Sequence, residues 1–287
     1  MTALAIIGFY VALVGIPLFV AELWRYRRQG RMTKQLWKEL GANLSTVLPL
    51  YIVGGLTVLA WLAVFGLVAD LSPWSIPTTP LTIVVAVLAY DLNYYWMHRA
   101  EHRIAWLWAL VHSVHHSSPV FNQTTGYRIS FTDAVITNVF FIPLAFIGFD
   151  PELITAVGAF NLAYQGWIHT EIIPKLPRPV EFLLNTASHH RVHHGSNERY
   201  LDRNYAGMFI VIDRIFGTFQ VEEETPVYGL TVPLGTTNPV DAHFLEFRRL
   251  WWKVRAAGTF RAKMRLLWGP PAGYYDGLVA DPTPAVR

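Results

Sequence analysis

The 287-residue sequence contains no cysteine. That excludes disulfides, thiolate metal sites and a cysteine nucleophile. Charge is scarce as well: 15% of residues are Asp, Glu, Lys or Arg, against about 25% in an ordinary soluble domain. There is no repeat and no low-complexity stretch. What is abundant is apolar. Hydrophobic residues make up 53%, aromatic residues 14%, and the mean hydropathy is +0.30. Such a composition suits a bilayer and its interfaces. The pI of about 9.1 does not point to nucleic acid, because the basic residues are placed by the apolar runs and form no binding patch.

Five apolar runs read as transmembrane helices: 3–22, 44–69, 81–97, 133–149 and 151–168. The first carries no Lys or Arg, and its basic cluster follows it. A signal peptide has the reverse order, so a retained helix is expected. The last two runs are joined through Gly148, Phe149, Asp150 and Pro151, which predicts an antiparallel hairpin. With the N-terminus outside, the inner segments hold 6, 3 and 14 basic residues, all 23 in the chain. The outer loops hold none, as the positive-inside rule requires. The same threading puts all 11 histidines on the inner side. The expected fold is all-α: an integral membrane bundle of about five transmembrane helices under a cytosolic helical cap. Three parts are expected: 1–80, with the first spans and a basic loop; 81–243, with the histidines; and 244–287, a basic helix and tail.

Ten of the 11 histidines lie in or between three clusters. They are HRAEH at 98–102, HSVHH at 112–116 and NTASHHRVHHG at 185–195, with His169 between the second and third. Residues three and four apart share a helix face. His98 and His102 therefore point together, as do His112, His115 and His116, and again His190, His193 and His194. Imidazole suits zinc, copper, iron and nickel. One tetrahedral zinc needs about four ligands, so this many imidazoles fit two metals better than one. The blander reading is a polar or pH-sensing surface, and a chain this poor in charge has little reason to gather one. His243 stands apart and reads as a packed or solvated side chain. Metal-bound imidazoles pass their second N–H to a carboxylate or carbonyl. Asp91 and Glu171 are candidate catalytic or orienting carboxylates, and Asn161 and Gln165 line up with His169 at intervals of four. Asp202 and Asp213 are further acids on the inner side. Arg128 and Arg191 are candidate contacts for a lipid headgroup. Tyr94, Tyr95, Trp106, Trp108, Phe160 and Trp167 are candidate groove walls.

These motifs resemble the fatty acid hydroxylase/sterol desaturase superfamily, whose pattern is HxxxH, HxxHH and (H/Q)xxHH. The segments DLNYYWMHR, FNLAYQGWIHTE, LDRNYAG and DRIFGTFQVEEETPVYGL look most like its ether-lipid-cleaving branch, the alkylglycerol monooxygenases. One position departs: Arg103 stands where that branch often has Glu, and Glu101 lies just before His102 instead. The resemblance implies a non-haem di-iron centre facing the cytosol of a bacterial inner membrane or an endoplasmic reticulum. Its ligands would be His98, His102, His112, His115, His116, His190, His193 and His194, with His169 as a ninth. His189 is left open as ligand, outer donor or substrate contact. It also implies O₂, a lipid substrate and an external electron donor, either an electron-transfer protein or tetrahydrobiopterin. Zinc can replace iron on isolation. Hydroxylation or desaturation of another lipid, a sterol or a carotenoid is an alternative, and a membrane zinc hydrolase or metal carrier is a third reading. The sequence says nothing of oligomeric state.

Overall fold

The computed structural model describes residues 8–271. The start of the first apolar run and the tail beyond residue 271 lie outside the described residues. Among the described residues there is no β-strand, and one isolated antiparallel bridge joins Gly195 to Tyr228.

The helices begin where the sequence offers caps. Helix α1 (Gly8–Arg28) includes a π-turn at Val11–Gly15. In α2 (Lys34–Ser45) the Thr33 hydroxyl accepts the Leu36 N–H at 3.1 Å. Helix α3 (Val47–Asp70) follows almost without a break and buries only Phe65 along its 24 residues. With α2 it forms an apolar helical segment long enough to cross a membrane. Helix α4 (Pro80–Arg103) starts at a reciprocal cap between Thr79 and Thr82, with Pro80 in the first turn. It stops where Ile104 turns extended. Residues 105–116 form α5, with a π-turn at Trp108–His112. Helix α6 (Asp133–Phe146) changes to a 3₁₀ turn at Thr137–Phe141. Pro143 has no N–H to continue the α ladder there. In α7 (Pro151–Ile168) the Asp150 carboxylate accepts the N–H groups of Glu152 and Leu153.

The short link between α6 and α7 turns at Gly148, with φ +98°. A Cβ there would lie 2.7 Å from the Trp74 carbonyl, so only glycine fits. The core of the bundle joins Phe65 of α3, Ala86 and Met97 of α4, Leu144 and Ala145 of α6, and Ile154 and Val157 of α7. Beyond it lie the short helices α8 (Arg178–Leu183), α9 (Ala187–His193) and α10 (Val211–Phe216), then α11 (Pro239–Ala256) and α12 (Phe260–Trp268). The α11–α12 pair covers α5 through Leu250 and Val254 against Ala105 and Ala109.

The expected all-helical class is what the structure has. The expected five spans are not all of one kind. Two helical segments, Gly8–Arg28 and Lys34–Asp70, are long and apolar enough by themselves to cross a membrane. The third and fifth runs are single helices that carry buried polar residues, Asp91 in α4 and Asn161 and Gln165 in α7. The fourth is a shorter, broken helix.

Candidate metal centre

Nine imidazoles meet at the junction of α4, α5, α7 and α9. They form two groups, within each of which the candidate ligand atoms lie no more than 4.8 Å apart. His98, His102, His112, His116 and His193 make one group; His115, His169, His190 and His194 make the other. The groups adjoin, since the rings of His116 and His194 stack at 4.4 Å. The triads expected to face one way are instead divided. His112 and His116 turn to the group of five and His115 to the group of four; His193 and His194 part in the same manner. Consecutive residues on a helix differ by about 100° in direction, so an adjacent pair can serve two sites at once.

The tautomers reveal what the pocket suits. The Nδ1 of His115 lies 3.2 Å from the Arg128 carbonyl, and that of His169 lies 2.8 Å from the Gln165 carbonyl. A carbonyl can only accept, so each Nδ1 carries the proton and each Nε2 presents a bare lone pair in the neutral ring. Those two Nε2 atoms face each other at 3.1 Å. Neither can donate to the other, and the pair is repulsive unless a cation sits between them. In the group of five, His98 is held by the Tyr205 carbonyl at 2.7 Å and His193 by the Arg203 carbonyl at 2.9 Å. Their Nε2 atoms lie 2.9 Å and 3.1 Å from those of His112 and His116. Burial, reinforced by the mutual repulsion of the rings, holds His98, His112, His116, His190, His193 and His194 well below the ordinary imidazole range. Burial brings His115 down to about 4 and His169 to about 3. All eight are therefore neutral at physiological pH, which is the form that binds metal.

Two acids join the group of five. Glu101, fully buried, places Oε2 3.0 Å from Nδ1 of His112, and its Oε1 has no hydrogen-bond partner among the described residues. Asp202 lies 3.6 Å from Nδ1 of His102 and pairs with Arg103 at 2.8 Å. Arg103, the departure in the first motif, thus pairs with the acid that lies beside His102. The carbonyls of Arg203 and Tyr205 come from a loop in which Asp202 and Asn204 both have positive φ, 59° and 58°. Asn204, wholly buried, bonds to the carbonyls of His189 and Gln220. Asp213 accepts the N–H groups of Tyr205 and Ala206, both at 2.8 Å. Strained backbone of this kind persists only where its surroundings over-determine it.

Other expected site residues have different surroundings. Asp91 does not reach His98; the Tyr205 carbonyl takes that place. Its carboxylate accepts from Asn161 and from the N–H groups of Met208 and Phe209, so it pins the far end of the same loop. Gln165 supports His169 through its backbone carbonyl, while its side chain bridges Tyr94 and Asn161. Glu171 faces Arg31 at 3.8 Å, away from the imidazoles. His189 belongs to neither group: its Nε2 meets Glu181 at 3.0 Å. Arg128 is fully buried and donates to Val114, Ser117 and Asn43. Arg191 is bidentate to Glu222 and also donates to the Thr170 and Ile173 carbonyls. Both arginines brace the site from within, and neither has an open face for a headgroup. Among the candidate walls, Tyr94 and Trp108 touch His98 and His102 at ring distances of 5.3 and 5.2 Å. Phe121, not foreseen, packs on His194 at 5.0 Å. Tyr95 packs behind them on Phe216, Trp106 packs on Trp268, Phe160 is 45% exposed, and Trp167 lines a shallow apolar recess with Leu13 and Pro17. His243 is buried against Phe131, the packed reading given to it.

Comparison with known proteins agrees with this geometry. Residues 83–218, which include all the clustered histidines, match the fatty acid hydroxylase family. The chain is 36% identical over 269 residues to an alkylglycerol monooxygenase of Homo sapiens, covering 91% of this chain and 59% of that protein. It is 42% identical over 199 residues to an alkylglycerol monooxygenase of Danio rerio, covering 69% of this chain and 43% of that protein. It is also 33% identical over 171 residues to a very-long-chain aldehyde decarbonylase of Oryza sativa, covering 52% and 25%. The chain thus spans about half the length of the alkylglycerol monooxygenases it matches. No solved structure matches significantly. The likeness to the fatty acid hydroxylase family thus rests on residues 83–218, the stretch that carries both histidine groups.

Proposed function

We propose that the chain is a membrane-bound, non-haem di-iron monooxygenase that hydroxylates a lipid C–H bond, and that its substrates are glyceryl ethers. The observation that carries the metal reading is the pair of bare Nε2 lone pairs on His115 and His169, 3.1 Å apart. Nine imidazoles in groups of five and four would hold two ions. Iron bound there would supply the activation of O₂. Imidazoles without thiolate also suit zinc, so the oxygenase reading rests on the relatives as well as on the donor set.

The chain's own residues set the conditions for the reaction. Carbonyls of Gln165, Arg128, Tyr205 and Arg203 fix four tautomers, and Glu101 orients His112. The buried rings of Phe121, Tyr205 and Trp108 exclude water from the imidazoles. In the net reaction one oxygen atom enters the carbon beside the ether oxygen. The other leaves as water, with two electrons and two protons from an external donor, an electron-transfer protein or tetrahydrobiopterin. The hemiacetal then separates into a fatty aldehyde and a glycerol derivative. The apolar outer faces of α1, α3 and α4 support a membrane setting. Five crossings, with the N-terminus outside and the histidines toward the cytosol, belong to the same proposal and rest on the placement of Lys and Arg in the sequence.

Hydroxylation or desaturation of another lipid is the second reading, favoured by the likeness to a protein named for aldehyde decarbonylation. Product analysis separates the two. Iron-reconstituted protein given an alkylglycerol, O₂ and a reduced pterin should release a fatty aldehyde detectable by mass spectrometry. A hydroxylated or unsaturated lipid without aldehyde would replace the ether-cleaving reading. Stoichiometric metal without O₂ consumption would remove the oxygenase reading altogether.

A further inference from the structure

Helix α11 (Pro239–Ala256) is apolar on two sides. One side packs inward through Ala242, Leu245, Leu250 and Val254. The other carries Val240, Phe244, Phe247 and Trp251, which are 53%, 36%, 36% and 51% exposed. Their spacing of four, three and four places them on one helical stripe. All four keep an open face in the described chain, although Phe244 also leans on Phe131. Trp252 beside it is 57% exposed, and so are Phe260 and Trp268 of α12, at 76% and 60%. Between residues 239 and 268 there are seven Lys or Arg and two acids.

The position of α11 indicates what the stripe faces. It packs against α2, which leads into α3, and against residues 105–107, where the chain has just left α4. Phe244 meets Phe131 at 6.2 Å, two residues before α6 begins. Three apolar helices thus end or begin beside α11. Val135 and Val139 continue the exposed apolar surface up α6, at 45% and 47%. An aromatic stripe flanked by cations, level with the inner ends of apolar helices, has the chemistry of a helix lying in a membrane interface.

We propose that α11, with α12 beside it, lies flat in the inner leaflet of the bilayer. Its stripe enters the acyl boundary, and the exposed Arg255, Arg261 and Arg265 rise to anionic phospholipid headgroups. The histidine cap is then moored at a second place, independent of the helices that cross. This inference rests on the membrane setting given under Proposed function.

The absence of native cysteine makes a direct test clean. Single variants Phe247→Cys, Trp251→Cys, Leu88→Cys and Glu223→Cys would each carry an environment-sensitive fluorophore. The full chain would be placed in nanodiscs of phosphatidylcholine with phosphatidylglycerol. Nitroxide-labelled lipids, shallow or deep in the leaflet, and aqueous iodide serve as quenchers. Labels at 247 and 251 should be quenched at least twofold more by shallow than by deep nitroxides, and weakly by iodide. The label at 88, on the exposed face of α4, should answer to deep nitroxides, and the label at 223 to iodide alone. Iodide quenching at 247 and 251 equal to that at 223, with 88 still in lipid, overturns the mooring of α11. Loss of lipid quenching at 88 as well overturns the membrane setting itself. Labels at 247 and 251 shielded from both lipid and iodide, in a protein that cross-links to itself through them, would assign the stripe to a second copy and also overturn the proposal.

Discussion

The two histidine groups differ most in what stands behind them. The group of five has carboxylates in its outer shell, Glu101 at 3.0 Å from His112 and Asp202 at 3.6 Å from His102, besides the two loop carbonyls. The group of four has carbonyls only, from Gln165 and Arg128. Each group also holds ring nitrogens with no hydrogen-bond partner among the described residues, on His102 in one and on His190 and His194 in the other. A carboxylate behind an imidazole raises its basicity and locks its ring more firmly than a neutral carbonyl does. The contrast implies one tightly held ion and one that exchanges more readily, although the rings stack against each other across the boundary.

Four experiments would break or sharpen that contrast. The largest effect is expected for His193→Ala and His169→Ala. Each should abolish turnover, and metal content measured by mass spectrometry should fall from two ions toward one. The remaining ion should bind at ordinary affinity if the groups are separate, and both ions should be lost if they are one unit. Next in size is Glu101→Gln. It should weaken binding of one ion by about 10- to 100-fold, the usual effect of losing an outer-shell partner. Asp202→Asn should do less, because its contact is longer; competition with a chelator would rank the two. Without any substitution, a graded chelator series should remove one equivalent well before the other. Simultaneous release would erase the distinction drawn here.

The smallest effect marks the boundary of the groups. His189→Gln should leave two ions bound, since His189 faces Glu181. Burial alone would raise the Glu181 carboxyl. Hydrogen bonds from His189, the Leu176 N–H and Ser188 outweigh that and hold it at about 2. A carboxyl with a depressed folded-state value stabilises the fold above its unfolded value of 4.5, and that stability is lost as pH falls toward 2. Acid unfolding followed by circular dichroism should therefore be shallower between those limits in Glu181→Gln than in the parent. An unchanged acid limb in that variant would mean that Glu181 contributes nothing in this range.

Much of the site could be read from spacing. HRAEH and HSVHH place imidazoles on helices, and Asn161, Gln165 and His169 do lie in line along α7 and its end. The divided triads could not be read, because a shared face is only approximate and adjacent histidines diverge. Arg128 and Arg191 look like headgroup ligands in a linear chain; only packing reveals that Asn43 and Glu222 occupy them. Glu101 had a visible signal, an acid inside the first motif, yet its role depends on α5 crossing α4. The carbonyls of Arg203 and Tyr205 have no signal at all, since every residue has one. The apolar runs at 81–97 and 151–168 illustrate the same limit: their hydrophobicity is diluted by the buried polar residues Asp91, Asn161 and Gln165.

Residue chemistry alone determined that this chain sets imidazoles at helical spacing among apolar helices, because side-chain identity and helical period are local properties. Only the tertiary structure decided which imidazole serves which group, which acids stand behind them and which cations are already paired. Those outcomes depend on contacts between helices and loops far apart in the chain, such as Asp91 with Phe209, 118 residues away, and no local period encodes them.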